Sequence, residues 1–364
     1  MKLFALLPLA LLAAAQSVAQ QPATSWDPAK AGAYLDKRLT WWSAWPSAAR
    51  DHGTFCVSCH TSTPYALSRL ALHAPLHEAA NAPIEQKLLD SITTRVRAWH
   101  DVEPFYPDQT RGLPKTSESR GTEAILNALI LTARDAPTHK LSPDARLALD
   151  NMWALQFTVK GDAAGSWAWL QFHNAPFEGD SQFYGNCLAA IAIGSAPGNY
   201  QAEPQIQKGV ELLRAWLVKN MDTQTPLDRV VLLWASAKLN NLLTPEQQQD
   251  IVKQTLAKQR EDGGFSMSDL TTGWTRHDKT PIDTAPDGYA TGLIAYALEE
   301  VSAPKAPLDR ALAWLNRNQL PEDGRWPAVS LNNNRPVLSD TGLFMSDAAT
   351  AYAVLALTNA ASTR

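Results

Sequence analysis

Cysteine is scarce in this chain, with three in 364 residues. That is too few to staple a disulfide-built mini-protein, and a chain of this length buries enough core to need no staples. Neither sign of charge dominates: 32 Lys and Arg stand against 36 Asp and Glu, for a net charge of -4. No basic cluster occurs, which argues against nucleic-acid binding, because phosphate contacts require a Lys/Arg patch. Charged residues make up only 19% and hydrophobic ones 45%, a balance too apolar for a disordered chain. Glycine (18) is outnumbered by proline (24), as expected of short, well-punctuated connections. Tryptophan is the one abundance, at 13 residues.

Only the N-terminus carries a long apolar run. Met1-Lys2 supplies one positive charge, Leu3 to Ala15 are mostly apolar, and Ser17-Val18-Ala19 forms a small-x-small cleavage site before Gln20. The run is shorter than the roughly 20 residues of a membrane span, so residues 1–19 read as a secretory signal peptide. The expected mature chain is exported to the periplasm or secreted, without a membrane span, into an oxidising compartment.

From residue 83 onward the chain reads as helix after helix. Pro83-Ile84-Glu85 opens one, with Leu88, Leu89, Ile92, Val96 and Trp99 at helical spacing. Segments rich in small apolar residues (124–131, 188–193, 230–235, 289–298, 348–357) alternate with amphipathic ones (206–220, 247–258, 308–318). The segments at 289–298 and 348–357 superpose at an offset of 59. A second repeat element ends the outer helices: Gln259 to Gly263-Gly264-Phe265 and Gln319 to Gly324-Arg325-Trp326, with a looser copy at Gln156 and Gly165-Ser166-Trp167. Repeats of this length imply stacked helical hairpins. The expected fold is all-α, with five to six hairpins. The chain divides into a leader (1–19), a segment with first helices (20–114) and the repeat region (115–364), the latter two forming one domain. A generic helical solenoid is the competing expectation, but no polar end caps are visible.

On the Gln…Gly-x-aromatic pattern and the apolar inner helices, the chain resembles the squalene cyclase, terpene cyclase and protein prenyltransferase superfamily over roughly residues 115–360. The resemblance implies a closed α/α toroid whose inner helices surround an apolar cavity. In squalene-type cyclases an Asp-x-Asp-Asp-Thr-Ala motif protonates the alkene through its central acid. Here Asp283-Thr284-Ala285 survives, but Ile282 occupies the donor position. The prenyltransferase zinc set is missing too, since no Cys lies beyond Cys187. Fold resemblance therefore exceeds activity resemblance. Candidate catalytic residues near the cavity mouth are Asp283, Asp287 and His277, with capping the competing role for Asp283, Asp287 and Asp347.

The sharpest local motif is Cys56-Val57-Ser58-Cys59-His60. Cys-x-x-Cys-His is the attachment signature of c-type haem, with two thiols for the vinyl groups and His60 as proximal iron ligand. The expected cofactor is haem c, and the distal ligand is left open among His52, His73, His77, His100 and the methionines. A local dithiol and a metal site built on Cys56, Cys59 and His60 compete with that reading. Cys187, on an apolar helix face, reads as a buried thiol.

Three functional expectations follow. The first is an exported toroid with covalent haem, serving electron transfer or oxidation of an apolar, isoprenoid-like molecule, with an electron-transfer partner. The second is a haem-free cyclase or isomerase of a polyprenyl substrate using Asp283. The third is a non-catalytic secreted binding module, which would display exposed tryptophan. Trp26, Trp41, Trp42 and Trp45 precede the Cys-x-x-Cys-His motif and are expected to cover a cofactor, while the helical tryptophans pack the repeat.

Overall fold

Proline and a polar cap mark where helices begin. In the computed structural model, which describes residues 26–177 and 181–362, Asp27 accepts from the amides of Ala29 and Lys30 and Pro28 opens α1 (Pro28–Ala44). Pro83 likewise opens α3 (Pro83–Arg97), which follows α2 (Ser62–Leu76). The one-turn α4 (Asp108–Arg111) precedes α5 (Lys115–Asp135), and Ser142 caps α6 (Pro143–Trp153). Next come α7 (Gln182–Ser195), α8 (Gln207–Asn220) and α9 (Pro226–Lys238), the last capped by Thr225. Thr244 and Gln247 form a capping box for α10 (Pro245–Leu256), two reciprocal bonds that satisfy end amides. The series ends with the one-turn α11 (Met267–Leu270), α12 (Gly288–Glu300), α13 (Lys305–Asn318) and α14 (Phe344–Ser362). The expected leader at 1–19, and Glu178, Gly179 and Asp180, lie outside the described residues.

Six of these helices form an inner ring. In cyclic order α2, α5, α7, α9, α12 and α14 each pack on the next, and α14 returns to α2. The other long helices, α1, α3, α6, α8, α10 and α13, lie outside it. The chain is therefore a closed all-α α/α toroid, and the solenoid alternative is excluded because the ends meet. One ring member, α2, directly follows the Cys-x-x-Cys-His segment, so the 20–114 segment contributes a ring helix. Inner helices are buried on every side: α7 buries Phe183 through Ile193 without a break, and α14 buries Met345 through Leu357. Outer helices bury one stripe, such as Val210, Leu213, Trp216 and Leu217 of α8.

The sequence repeat is a joint between successive outer helices. Gln259 Nε2 donates to Gly263 O of its own turn and to Pro307 O at the start of α13. Gln156 does the same to Gly165 O and to Gly209 O in α8. Gln319 donates to Gly324 O and to Asp27 O at the cap of α1, which closes the ring. The glycine of each turn has positive φ and touches the next outer helix, so that a Cβ on Gly263 would lie 2.5 Å from Arg310 O. The following aromatic is buried, and its amide donates to an inner-helix side chain: Trp167 to Asn186, Phe265 to Thr291, Trp326 to Thr350. A fully buried Trp removes 150–250 Å² from water, about 4–6 kcal/mol at ~25 cal/mol per Å².

Candidate functional site

At the end of the ring where α2, α12 and α14 begin, the Cys-x-x-Cys-His segment folds across the mouth. It is irregular rather than helical, so the two thiols are not set one helical turn apart. Cys56 N donates to Ala48 O at 2.8 Å, and Trp42 Nε1 donates to Cys56 O at 2.7 Å. Ser58 Oγ accepts from the amides of Thr61 and Ser62, turning the chain into α2. Cys56 and Cys59 are both buried. Cys59 faces the tyrosines Tyr184, Tyr289 and Tyr352 of three inner helices. Tyr184 and Tyr352 hydroxyls are 3.4 Å apart, and the Tyr289 ring lies 5.2 Å from Tyr352 and 5.7 Å from Phe177. These side chains fill the ring's centre beneath the motif.

His60 is the most constrained member. Its ring stacks on Phe344 at a 3.8 Å centroid distance and receives the edge of Trp42 at 4.9 Å. Trp41 and Trp45 pack on the same Phe344. Thr61 Oγ1 donates to Asp347 Oδ2 at 2.7 Å, and His60 Nδ1 lies 2.8 Å from the same hydroxyl. A hydroxyl has one hydrogen, so Nδ1–H must be the donor and Nε2 carries the lone pair. Burial, aided by the charge of Arg38, pushes the imidazole down to about 3, so it stays neutral at ordinary pH. Asp347, in the first turn of α14, also accepts from Tyr34 OH at 2.8 Å and Arg38 Nε at 2.7 Å. Burial pushes its carboxyl up and Arg38 opposes that. This network of Tyr34, Arg38, Thr61 and Asp347 had one sequence signal, the position of Asp347 just ahead of an apolar inner-helix segment. Its partners come from α1 and the motif loop, about 300 residues away in sequence.

The expectation of haem c meets a poor fit. The cavity beside His60 measures about 170 Å³, below the roughly 300–1,000 Å³ that enclose a drug-sized ligand. A porphyrin does not enter it. Among the described residues no group of three or more His, Cys, Asp and Glu side chains is gathered to hold a metal ion, which corrects the metal-binding expectation for Cys56, Cys59 and His60. Of the distal candidates, His73 pairs with Glu85 at 2.9 Å and His52 with Asp51 at 3.3 Å. Cys187 is a fully buried thiol in α7, its pKa pushed up by burial.

The other candidates gather partly. Asp283 and Asp287 line one cleft of about 120 Å³ with Met267, Ile282 and Leu331. Asp287 caps α12: Oδ1 accepts from Tyr289 N and Ala290 N, and Oδ2 from Met267 N at 2.7 Å. Burial outweighs these bonds and pushes the carboxyl up to about 6, with the charge of Asp283 adding to the rise. Asp283 is exposed, and its side chain accepts from Ala285 N. His277 is exposed and stands apart from this cleft, its Nε2 2.9 Å from His173 O. Asp278 beside it bonds Thr280 and Asn334 N, an arrangement that fixes the loop.

None of the 13 tryptophans is exposed. Trp26 packs on Trp326 at 6.0 Å, sealing the ring closure rather than covering the motif. The criterion for a tryptophan-based binding module is therefore unmet.

No family model matches the chain, and no curated protein matches its sequence. Among solved structures it is similar to the GH76A α-1,6-mannanase of Salegentibacter sp. HEL1_6, with a TM-score of 0.53 and 13% identity over 90% of this chain and 100% of that one. It is also similar to a variant of that enzyme inactivated by replacing two consecutive aspartates with asparagine, in complex with α-1,6-mannotriose, with a TM-score of 0.51 and 12% identity over the same shares. At such identity the likeness establishes the toroid fold. It also corrects the functional expectation: the solved structures it is similar to are glycosidases, which stands against the haem-carrying, isoprenoid-binding reading and lends no support to the haem-free cyclase alternative.

Proposed function

We propose that the chain is a glycoside hydrolase-like toroid that cleaves a glycan at its mouth, using Asp287 as proton donor and Asp283 as the second carboxylate. One observation carries the reading. Two carboxylates in unlike environments share a cleft at the start of an inner helix, and burial lifts one of them to about 6. Glycosidases pair a raised acid with an ionised carboxylate because the leaving oxygen needs a proton while water or the sugar needs a base. Asp287 Oδ2 accepts a single amide bond, which leaves it a lone pair for the proton. In the step proposed, that proton passes to the glycosidic oxygen, whose bond to the anomeric carbon breaks so that it leaves as a hydroxyl of the departing sugar. Asp283 takes a proton from the attacking water, whose oxygen bonds the anomeric carbon. The aspartate pair altered in the inactive mannanase has no counterpart, because no two aspartates are adjacent in this chain. The leader expected at 1–19 supports placing the activity outside the cytoplasm, where polymeric glycans are met.

Reducing-sugar release from a polysaccharide panel that includes α-1,6-mannan tests this. Wild type should release sugar from at least one member, and D283N and D287N should each lose about 10²–10⁴-fold while keeping the wild-type circular dichroism. A folded D287N of undiminished activity, or wild type inert on the whole panel, overturns it.

A further inference from the structure

A second cavity, of about 170 Å³, adjoins the carboxylate cleft and shares Leu331 with it. Its chemistry differs from that of the cleft. His60 Nε2 presents a lone pair there and has no hydrogen-bond partner among the described residues. Arg335, half-buried and also lining the cavity, donates from Nη1 to Thr341 Oγ1 at 3.2 Å, with Nε 3.5 Å from Asn332 Oδ1. Both partners are neutral, and among the described residues Arg335 makes no ion pair. Asn332 is in turn tied to Asn174 by a 2.9 Å bond from Nδ2 to Oδ1, which fixes this wall of the cavity.

We propose that this cavity is a subsite for a carboxylate-bearing sugar unit, with Arg335 taking the carboxylate and His60 Nε2 accepting from a neighbouring ring hydroxyl. The inference rests on the glycan reading above and names the substrate class. A guanidinium fork matches the two oxygens of a planar carboxylate. A neutral imidazole nitrogen requires a donor beside it, which a sugar hydroxyl supplies. At ~30 Å³ per water the space equals about five or six waters, enough for a carboxylate and an adjacent hydroxyl. Thr61 and Asp347 act as positioning residues: they hold the tautomer that keeps the Nε2 lone pair turned outward.

The test titrates full-length protein, ¹⁵N-labelled at histidine, with D-glucuronate and with D-glucose. Glucuronate should bind at least tenfold more tightly and shift the His60 Nε2 resonance upfield. R335M should abolish the preference, and R335K should restore part of it. Equal binding of the two sugars, or an R335M protein that keeps the preference, overturns the subsite. If the preference is absent while D287N still abolishes glycan cleavage, the subsite fails and the hydrolase reading stands. If Arg335-dependent glucuronate binding occurs but no polysaccharide is cleaved, the hydrolase reading fails and the subsite stands.

Discussion

Asp228→Asn should make the protein more stable at neutral pH. Asp228 sits in the first turn of α9, buried in the ring beside Cys187 of α7. Oδ2 accepts from Thr225 Oγ1 at 2.7 Å, while Oδ1 is buried with no partner among the described residues. Burial lifts the carboxyl from 3.8 to about 6, and the Thr225 bonds only partly offset it. Between those values the folded protein holds a proton that the unfolded chain has lost, so stability falls as pH rises. The contribution is complete below 3.8 and gone above about 6. At 1.36 kcal/mol per pH unit it is of the order of 3 kcal/mol. Asparagine is neutral throughout and keeps an oxygen for Thr225. Urea unfolding of variant and wild type should show a gain of about 1–3 kcal/mol for D228N at pH 7.5, shrinking toward zero as pH falls through 6 to 4. Asp287 contributes a similar slope to both proteins and cancels in the difference. A variant less stable than wild type at pH 7.5, or a gain independent of pH, would refute the reasoning.

Other perturbations probe the ring closure and the mouth. Gly324→Ala forces a Cβ to 2.5 Å from Lys30 Cβ at a residue with φ of +80°, so calorimetry should show a loss of about 1–3 kcal/mol; Gly263→Ala should cost the same, whereas Gly198→Ala, at positive φ but touching nothing, should cost less. Arg38→Met leaves Asp347 buried without its cation, a loss of about 3–5 kcal/mol by chemical denaturation. It also removes the charge that helps depress His60, so the imidazole should titrate at higher pH by histidine NMR, with an unmoved resonance counting against the assigned network. Cys56→Ala with Cys59→Ala deletes two buried small side chains and should lower stability by about 1–3 kcal/mol while leaving visible absorbance and sugar release unchanged. A change in either of the last two would contradict the packing role.

What was legible in the sequence was local. Pro83, Ser142-Pro143 and Thr244-Pro245 mark helix starts because the chemistry of a helix end is satisfied within four residues. The Gln, glycine and aromatic of each outer-helix end were visible because all three lie in one short turn. Their purpose was not, since Gln319 reaches Asp27, 292 residues away, and only ring closure brings the two together. The mouth was least legible. Asn174, Asn332 and Arg335 lie in irregular connections without periodicity, and Arg38 meets Asp347 across 309 residues. Cys-x-x-Cys-His is defined by spacing alone, and spacing does not reveal that the ring's tyrosines and Phe344 fill the ground around it.

Asp287 and Asp347 show how a repeated frame acquires a one-sided site. They occupy nearly equivalent places at the starts of consecutive inner helices, yet their partners differ. Asp287 meets only the helix-end amides of Met267, Tyr289 and Ala290, which hold a carboxylate without neutralising it, so burial prevails and the group becomes a weak acid facing a cleft. Asp347 lies where the ring closes, and the neighbour supplied there is α1, with Tyr34 and Arg38. Its charge is spent on an ion pair and on Thr61, and through Thr61 it fixes a neutral imidazole beside the cavity of Arg335. Under the proposed hydrolase reading and subsite, one sector of the mouth supplies the acid and the adjacent sector the recognition. The difference arises from which element the closing chain brings to each helix start, so substitutions in α1, far from the cleft in sequence, should alter ligand selectivity before they alter bond cleavage.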